Sequence, residues 1–294
     1  DLTLRRVRAG ERNDMQRKSF LGRSALGTFH EVVYWQWGPA DGPVLLCVHG
    51  LTRNGRDFDA VAERFSDRWR VVCPDIVGRG DSGRLADPLQ YGYPQYLADL
   101  TALIARLDVD RVAWLGTSMG ALLGMIMAAG PGTPVERLLM NDAGPVVTKD
   151  SLQRIAAYLG TAPDFADMAE AEAYIRQVHA PFGPLTDDQW AHLARHSVRE
   201  GGGGRLVLKY DPGLAKPFQS AVDNDLVLWP VWDAIRCPVT VIRGAQSDLL
   251  RADTLAEMQS RGPKATAHEI PGVGHAPALM DEVQLNLIAD WLTD

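Results

Sequence analysis

The stretch RVAWLGTSMGALLGMIMAA, at residues 111–129, decides how the rest of the sequence is interpreted. It starts with a short apolar run typical of a buried strand and ends with an apolar helical pattern. Between them lies GTSMG, in which Gly116 and Gly120 flank Ser118. A strand-to-helix turn this sharp strains the serine backbone, and the two glycines remove side chains that would collide. The pattern predicts a nucleophile elbow that presents the Ser118 hydroxyl above a sheet.

Short runs rich in Val, Ile and Leu recur on both sides of this stretch, and helical patterns lie between several of them. Unbroken apolar runs indicate strands that are buried on both faces, as in a parallel sheet covered by helices. The sequence therefore predicts an α/β fold with a mostly parallel central sheet flanked by helices. We expect strands at 44–48, 70–73, 111–115, 137–140, 239–243 and 267–270, and an early strand at 28–37 in an antiparallel hairpin at the sheet edge.

The alternation of strands and helices stops after Gly144 and resumes at Cys237. The intervening sequence is mostly helical in pattern, with helices expected at 151–159, 167–179 and 187–197. Four successive glycines at 201–204 predict a flexible or tightly turned connection. We therefore expect a core formed by residues 1–144 and 236–294, with a helical cap inserted at 145–235.

Composition limits the classes of function. The chain has 294 residues, a formal net charge of −7, 46% apolar residues and 23% charged residues, which is typical of a globular protein. The acidic balance argues against nucleic-acid binding, which needs clustered cations. Residues 112–135 carry no charge, but their glycines and prolines favour a strand, a turn and a helix over a membrane span.

Three cysteines, Cys47, Cys73 and Cys237, lie in or beside apolar runs without the spacing of a redox or zinc pair. Residues 1–14 contain no apolar stretch of the signal-peptide type. These features favour a cytoplasmic location.

A serine hydroxyl needs an adjacent base to become a strong nucleophile. His275 is the best candidate because it lies in a glycine-containing loop, GVGHAP, after the last predicted strand. The histidine in turn needs an acid that orients it. Asp248, which follows the strand VTVIRG, is our first candidate, and Asp142, at the end of the preceding strand, is the alternative.

The tetrahedral intermediate of acyl transfer requires amide donors for its oxyanion. We expect one donor to be the amide of Met119, the residue after the nucleophile. The other is expected from the turn that reads His49-Gly50-Leu51, in which Gly50 lets the Leu51 amide point into the site. We assign His49 a supporting role, in which its hydrogen bonds hold this turn.

Taken together, these motifs resemble those of the α/β-hydrolase superfamily, in particular single-chain serine esterases with a helical cap. The resemblance rests on HGL at 49–51, PDIVGRGDSG at 74–83, GTSMG at 116–120, SD at 247–248 and GVGHAP at 272–277. It covers residues from about 28 to 144 and from 236 to 294. Ser118 stands where dehalogenases and epoxide hydrolases of this fold carry aspartate, which argues against both activities.

The resemblance implies a serine carboxylesterase that works through an acyl-enzyme, with polyesters among the conceivable substrates. Hydrolases of C–C bonds and enol-lactones have the same motif order and remain the alternative. A non-catalytic ligand receptor on this fold is a further possibility. We predict no cofactor and no metal, a small-molecule ester as the substrate, no nucleic-acid partner, and a monomer or homodimer. Aromatic residues of the cap are the candidates for the substrate pocket, namely Phe182, Trp190, Phe218, Trp229 and Trp232.

Overall fold

The computed structural model describes residues 15–221 and 223–293. Its strands, in chain order, are β1 (Gln16–Arg23), β2 (Phe29–Trp37), β3 (Val44–Val48), β4 (Arg70–Pro74), β5 (Val112–Thr117), β6 (Val135–Asn141), β7 (Val146–Val147), β8 (Asp164–Phe165), β9 (Val198–Glu200), β10 (Leu206–Leu208), β11 (Leu226–Val227), β12 (Val239–Gly244) and β13 (Thr266–Ile270).

Eight of these strands form one central sheet, with the spatial order β1-β2-β4-β3-β5-β6-β12-β13. The six strands from β4 to β13 in this order run parallel to one another. Strand β2 pairs antiparallel with β4 on one side and with β1 on the other. The predicted mostly parallel sheet is confirmed, and so is the antiparallel hairpin at its edge.

The helices that accompany these strands are α1 (Asp59–Phe65), α2 (Tyr93–Leu107), α3 (Met119–Ala129), α4 (Lys149–Leu159), α5 (Met168–Val178), α6 (Asp187–Ser197), α7 (Ala215–Ala221), α8 (Trp229–Ala234), α9 (Ala252–Ser260) and α10 (Glu282–Thr293). Helices α1 and α10 cover one face of the central sheet, and α2, α3 and α9 cover the other. The three helices predicted between Gly144 and Cys237 correspond to α4, α5 and α6.

Strand β3 shows how the sheet separates two apolar cores. All five of its residues are buried. Val44, Leu46 and Val48 face the core beneath α2 and α3, whereas Leu45 and Cys47 face the core beneath α1 and α10. Successive side chains of a strand point to opposite faces, so an apolar run without alternation is what burial on both faces requires.

The segment between β6 and β12 contains α4 to α8 and two small sheets. One small sheet has the order β8-β10-β9, and the other pairs β11 with β7. Strands β9 and β10 form an antiparallel hairpin around the four glycines, of which Gly203 and Gly204 have φ angles of 69° and 73°. The sequence patterns did not reveal these short strands. The division into a core and a separate cap stays a prediction.

The uncharged residues 112–135 form β5, the elbow and α3, and end at the start of β6, as predicted. Among the residues that the structure describes, no helix combines the length and the apolar character needed to cross a bilayer. Cys47 and Cys73 are buried in adjacent strands, and Cys237 is half-buried. The interpretation of residues 1–14 concerns a segment outside the described residues, and the cytoplasmic location stays a prediction.

Helix α3 approaches β3 so closely that glycine is required at the contact. A Cβ atom at Gly120 would lie 1.9 Å from the carbonyl oxygen of Val48. We expect Gly120→Ala to lower the free energy of unfolding by about 3 kcal/mol or more, because helix and strand must separate. Chemical denaturation measures the change. The control is Gly202→Ala, whose Cβ would meet no atom within 4 Å; equal losses in both variants would contradict the prediction.

Candidate active site

Ser118 lies between β5 and α3 with a φ angle of 53°, in the left-handed region that non-glycine residues rarely adopt. Its amide donates to the carbonyl oxygen of Asn141 at 2.9 Å, which ties the turn to the end of β6. A Cβ at Gly116 would lie 2.2 Å from the carbonyl oxygen of Gly120. The two glycines quoted from the sequence therefore meet each other across the turn, and the strained serine projects from it.

His275 follows β13 and faces this serine. Its Nε2 lies 2.9 Å from the Ser118 Oγ. Two hydrogen bonds hold the histidine loop: the Asn141 side-chain amide donates to the carbonyl oxygen of Pro277 at 2.8 Å, and the Gly274 amide donates to that of Pro181 at 2.7 Å. Asn141 therefore contacts both the serine turn and the histidine loop, a connection that the sequence patterns did not indicate.

The acid beside the histidine is Asp142, the alternative of the two candidates. Its Oδ2 lies 2.6 Å from His275 Nδ1 and also accepts from the Ser247 hydroxyl at 2.6 Å. Its Oδ1 accepts from the Gly244 amide at 2.8 Å. Asp142 is fully buried. Since Nδ1–H donates to this carboxylate, Nε2 keeps its lone pair toward Ser118, as a general base requires.

The choice of Asp248 as the acid was wrong. Its side chain is 58% exposed and pairs with Arg154 rather than with His275. The turn after β12 instead directs Ser247, the preceding residue, toward the histidine's partner. In the SD pair at 247–248, the serine supports the acid, and the aspartate pairs with Arg154 in the wall of the cavity in front of Ser118. Order along the chain could not separate the candidates, because β6 and β12 are neighbours and both end at the same edge of the sheet.

The predicted oxyanion donors lie on both sides of the serine. Met119 is the first residue of α3, where amides have no partner within the helix. Gly50 lies against the serine, since a Cβ there would be 3.6 Å from the Ser118 Cβ. Leu51 lines the cavity in front of Ser118, and its carbonyl oxygen accepts from Arg79 at 2.8 Å. That the amides of Leu51 and Met119 hold an oxyanion stays a prediction.

His49 is fully buried and bridges two loops at the site. Its Nδ1–H donates to the carbonyl oxygen of Gly50 at 2.7 Å, while its Nε2 accepts from the Ile76 amide at 2.9 Å. Burial lowers the pKa of His49 to about 3. The imidazole is therefore neutral at neutral pH, as its acceptor role requires, and it holds the Gly50 turn in place.

A cavity of about 460 Å³ opens in front of Ser118 and His275. Helix α4 contributes Arg154, Ile155 and Tyr158 to its wall. Further lining residues come from α5 and the turn after it, namely Gln177, Val178, His179, Pro181 and Phe182. We call this space the Ser118 cavity. The segment between β6 and β12 thus supplies a large part of the wall around the serine.

Of the five aromatic residues predicted for the pocket, Phe182 lines the Ser118 cavity. The prediction was wrong for the other four, which are absent from its wall. Trp190 and Trp232 are buried in the apolar core, and the Trp232 indole donates to the carbonyl oxygen of Arg261. The Arg261 guanidinium covers the ring of Trp229, and Phe218 packs at the edge of the same core. Helix periodicity could not distinguish a core face from a cavity face.

Sequence reasoning missed several polar residues of the cavity wall, among them Arg53, His179 and Tyr158. Arg53 donates twice to Asp57, at 2.8 and 2.7 Å, and once to Ser197 at 2.7 Å. The ring of His179 stacks on Phe182, and burial lowers its pKa well below the usual value. Burial raises the pKa of Tyr158 to about 12, so its phenol stays protonated. No local motif marks these residues.

A second cluster lies at the contact between α1 and α6. Atoms of Asp59, His192 and His196 that could ligate a metal lie within 4.8 Å of one another. The Arg56 guanidinium already binds the Asp59 carboxylate, with its shortest contact at 2.6 Å, and its positive charge opposes a cation there. None of the three residues lines the Ser118 cavity. This cluster gives no reason to assign a metal to the reaction.

The family model described as "Alpha/beta hydrolase family" matches residues 45–285, which include the elbow, Asp142 and His275. The chain belongs to this family. Membership of the α/β-hydrolase superfamily, expected from the five motifs, is thereby confirmed, as is the α/β-hydrolase fold.

Among known proteins, this α/β hydrolase is 45% identical over 273 residues to a 3-hydroxybutyrate-oligomer hydrolase of Cupriavidus necator, covering 90% of this chain and 93% of the relative. The crystal structure of a protein from Rickettsia typhi superposes with a TM-score of 0.88 at 30% identity, covering 95% of this chain and 99% of that one. An α/β hydrolase from Novosphingobium aromaticivorans superposes with a TM-score of 0.85 at 35% identity, covering 96% and 99%. These similarities support hydrolase activity.

We expect Asp142→Asn to lower kcat for p-nitrophenyl butyrate by about 10³- to 10⁴-fold, because an amide cannot stabilise the imidazolium that forms on His275. Asp248→Asn should retain most of the activity on this neutral ester, because its carboxylate pairs with Arg154 and not with the histidine. Steady-state kinetics of the two variants measures the difference. A larger loss in Asp248→Asn would show that the acid lies in the other loop.

The buried His49 makes stability depend on pH. Its folded pKa of about 3 lies below the ordinary value of 6.5. Between about pH 3 and pH 6.5 the unfolded chain therefore binds more protons at this residue than the folded protein does. Stability is therefore lost as the pH falls from about 6.5 toward 3, by about 1.4 kcal/mol per pH unit for one proton. We expect His49→Asn to reduce the slope of unfolding free energy against pH by about 1.4 kcal/mol per pH unit, the contribution of one proton. Urea unfolding at several pH values measures this slope. Parallel curves for wild type and variant would contradict the prediction.

Proposed function

We propose that this chain is a serine ester hydrolase that cleaves short oligomers of 3-hydroxybutyrate. The observation that carries the hydrolytic part is the unbroken hydrogen-bonded series from Ser118 through His275 to the buried Asp142. A nucleophile, a base and an orienting acid, in contact at 2.9 and 2.6 Å, form the arrangement that acyl transfer uses.

The proposed reaction proceeds in two steps. His275 Nε2 takes the hydroxyl proton as Ser118 Oγ bonds to the ester carbonyl carbon, and the amides of Leu51 and Met119 bind the oxyanion. Collapse breaks the bond to the alkoxy oxygen, which leaves as an alcohol with the proton from His275. Water then gives a proton to His275 and attacks the acyl-serine. The bond between the acyl carbon and Ser118 Oγ then breaks, His275 returns its proton to Oγ, and the carboxylic acid is released, so water is the sole co-reactant.

The substrate assignment rests on the 3-hydroxybutyrate-oligomer hydrolase of C. necator, which matches this chain at 45% identity over nearly its whole length. The Ser118 cavity is compatible with that class of molecule. Its volume of about 460 Å³ falls in the range of small-molecule sites, and its wall combines apolar side chains such as Ile155, Val178 and Phe182 with polar and charged ones. A short chain of methyl-branched esters is a substrate of this kind.

The test is hydrolysis of the dimer and trimer of (R)-3-hydroxybutyrate by wild type and Ser118→Ala. We expect multiple turnovers by wild type and a loss of about 10⁴-fold or more in kcat for the variant, because the alanine cannot form the acyl-enzyme. Released 3-hydroxybutyrate is quantified by chromatography, and circular dichroism confirms that the variant is folded.

Parallel assays distinguish the alternatives. Turnover of a vinylogous diketone or an enol-lactone, with the oligomers left intact, would replace the proposal with C–C or lactone hydrolysis. A stoichiometric burst of product without turnover on any of these substrates would indicate a ligand receptor that retains the triad.

A further inference from the structure

Two positively charged side chains line the Ser118 cavity, and they differ in what holds them. Arg53 is nearly buried, with 7% of its side chain exposed, and its guanidinium donates to both oxygens of Asp57 and to Ser197. Arg154 is 52% exposed, and its Nη1 donates to Asp248 Oδ2. The guanidinium of Arg53 is thus enclosed by protein partners, whereas that of Arg154 is half-exposed in the cavity wall and bonds to one carboxylate oxygen.

The ion pair between Arg154 and Asp248 uses only part of the guanidinium. Within residues 15–221 and 223–293, Asp248 is the one ion-pair partner of Arg154, and the contact runs from a single guanidinium nitrogen to a single carboxylate oxygen. A guanidinium carries five N–H donors in a planar fork that matches a carboxylate through two parallel bonds. Arg154 therefore has donor capacity left for an anion that enters the cavity.

Both partners of this pair can separate at little cost. Asp248 is 58% exposed, and ion pairs between exposed side chains contribute little to stability. The two residues come from different elements, since Arg154 lies on α4 and Asp248 lies in the turn after β12. That turn is anchored independently of the ion pair, because Ser247 bonds to Asp142 and the Ser151 hydroxyl donates to the carbonyl oxygen of Asp248.

Oligomers of 3-hydroxybutyrate carry the matching group. Each ends in a free carboxylate, and for the terminal ester bond this carboxylate belongs to the alcohol that leaves. We infer that Arg154 binds the free carboxylate of the substrate, and that Asp248 occupies its guanidinium until the substrate replaces it. The inference rests on the proposed function and adds a basis for choosing anionic oligomers over neutral esters.

The test uses two substrates that differ in one group: the 3-hydroxybutyrate dimer as its free acid and as its methyl ester. We expect Arg154→Gln to lower the ratio of kcat/KM for the acid to that for the methyl ester by about 10- to 100-fold, because the ester has no charge to pair. Arg154→Lys should retain part of the preference, since it keeps the charge without the planar fork.

For Asp248→Asn we expect a change in the opposite direction to that of Arg154→Gln. Without the internal carboxylate, the substrate no longer competes for Arg154, so kcat/KM for the acid should rise by about two- to tenfold. The matched control is Arg205→Gln, because Arg205 forms a similarly exposed pair with Asp164 outside the Ser118 cavity. In Arg205→Gln the ratio of kcat/KM for the acid to that for the methyl ester should equal the wild-type ratio. Thermal unfolding verifies that each variant is folded.

The outcomes separate this inference from the proposed function. If wild type cleaves neither form of the dimer, the proposed function fails. If wild type cleaves both forms and Arg154→Gln slows both equally, the dimer is a substrate and Arg154 has a structural role, which overturns the inference. An equal fall of the ratio in Arg205→Gln, or a fall in Asp248→Asn, would likewise overturn it.

Discussion

The buried carboxylate of Asp142 is the constraint on which the geometry of the site depends. A charge in the protein interior is tolerated only when donors surround it. Here the donors come from the end of β12, the turn after it and the histidine loop, through Gly244, Ser247 and His275. Satisfying one carboxylate therefore brings two separate segments, the end of β12 with its turn and the histidine loop, to the end of β6. The orientation of His275 toward Ser118 is a consequence.

A second set of contacts links this edge to the segment between β6 and β12. The Gly274 amide beside the histidine donates to Pro181, and the Asn54 side chain donates to the carbonyl oxygen of His196. Arg53 reaches Ser197 from the turn that follows β3. The cavity wall and the reacting groups are thus held by shared hydrogen bonds. A displacement of α5 or α6 would therefore change the position of the histidine loop. The substrate specificity proposed for Arg154 depends on the contact between α4 and the turn after β12, where Arg154 pairs with Asp248 in the cavity wall.

Much of the fold followed from local patterns because the physical causes are local. Apolar runs without alternation identified the strands of the parallel sheet, and the spacing of Gly116, Ser118 and Gly120 identified the elbow, since a Cβ at either glycine would collide with backbone. His275 was recognisable from its loop. The short strands β8 to β10 escaped prediction because two- or three-residue strands have no measurable period.

The sequence by itself determined the α/β fold, the elbow and the choice of His275 as the base, because each is marked by a local pattern of residue types. The tertiary structure alone decided between Asp142 and Asp248. Both follow strands that end at the same edge, and the outcome depends on which side chain the β12 turn directs inward. It also decided which aromatic side chains line the cavity, because the neighbours of a helix face are set by packing between distant segments. The hydrogen bond from Ser247 to Asp142 likewise depends on packing between distant segments, so only the tertiary structure revealed it.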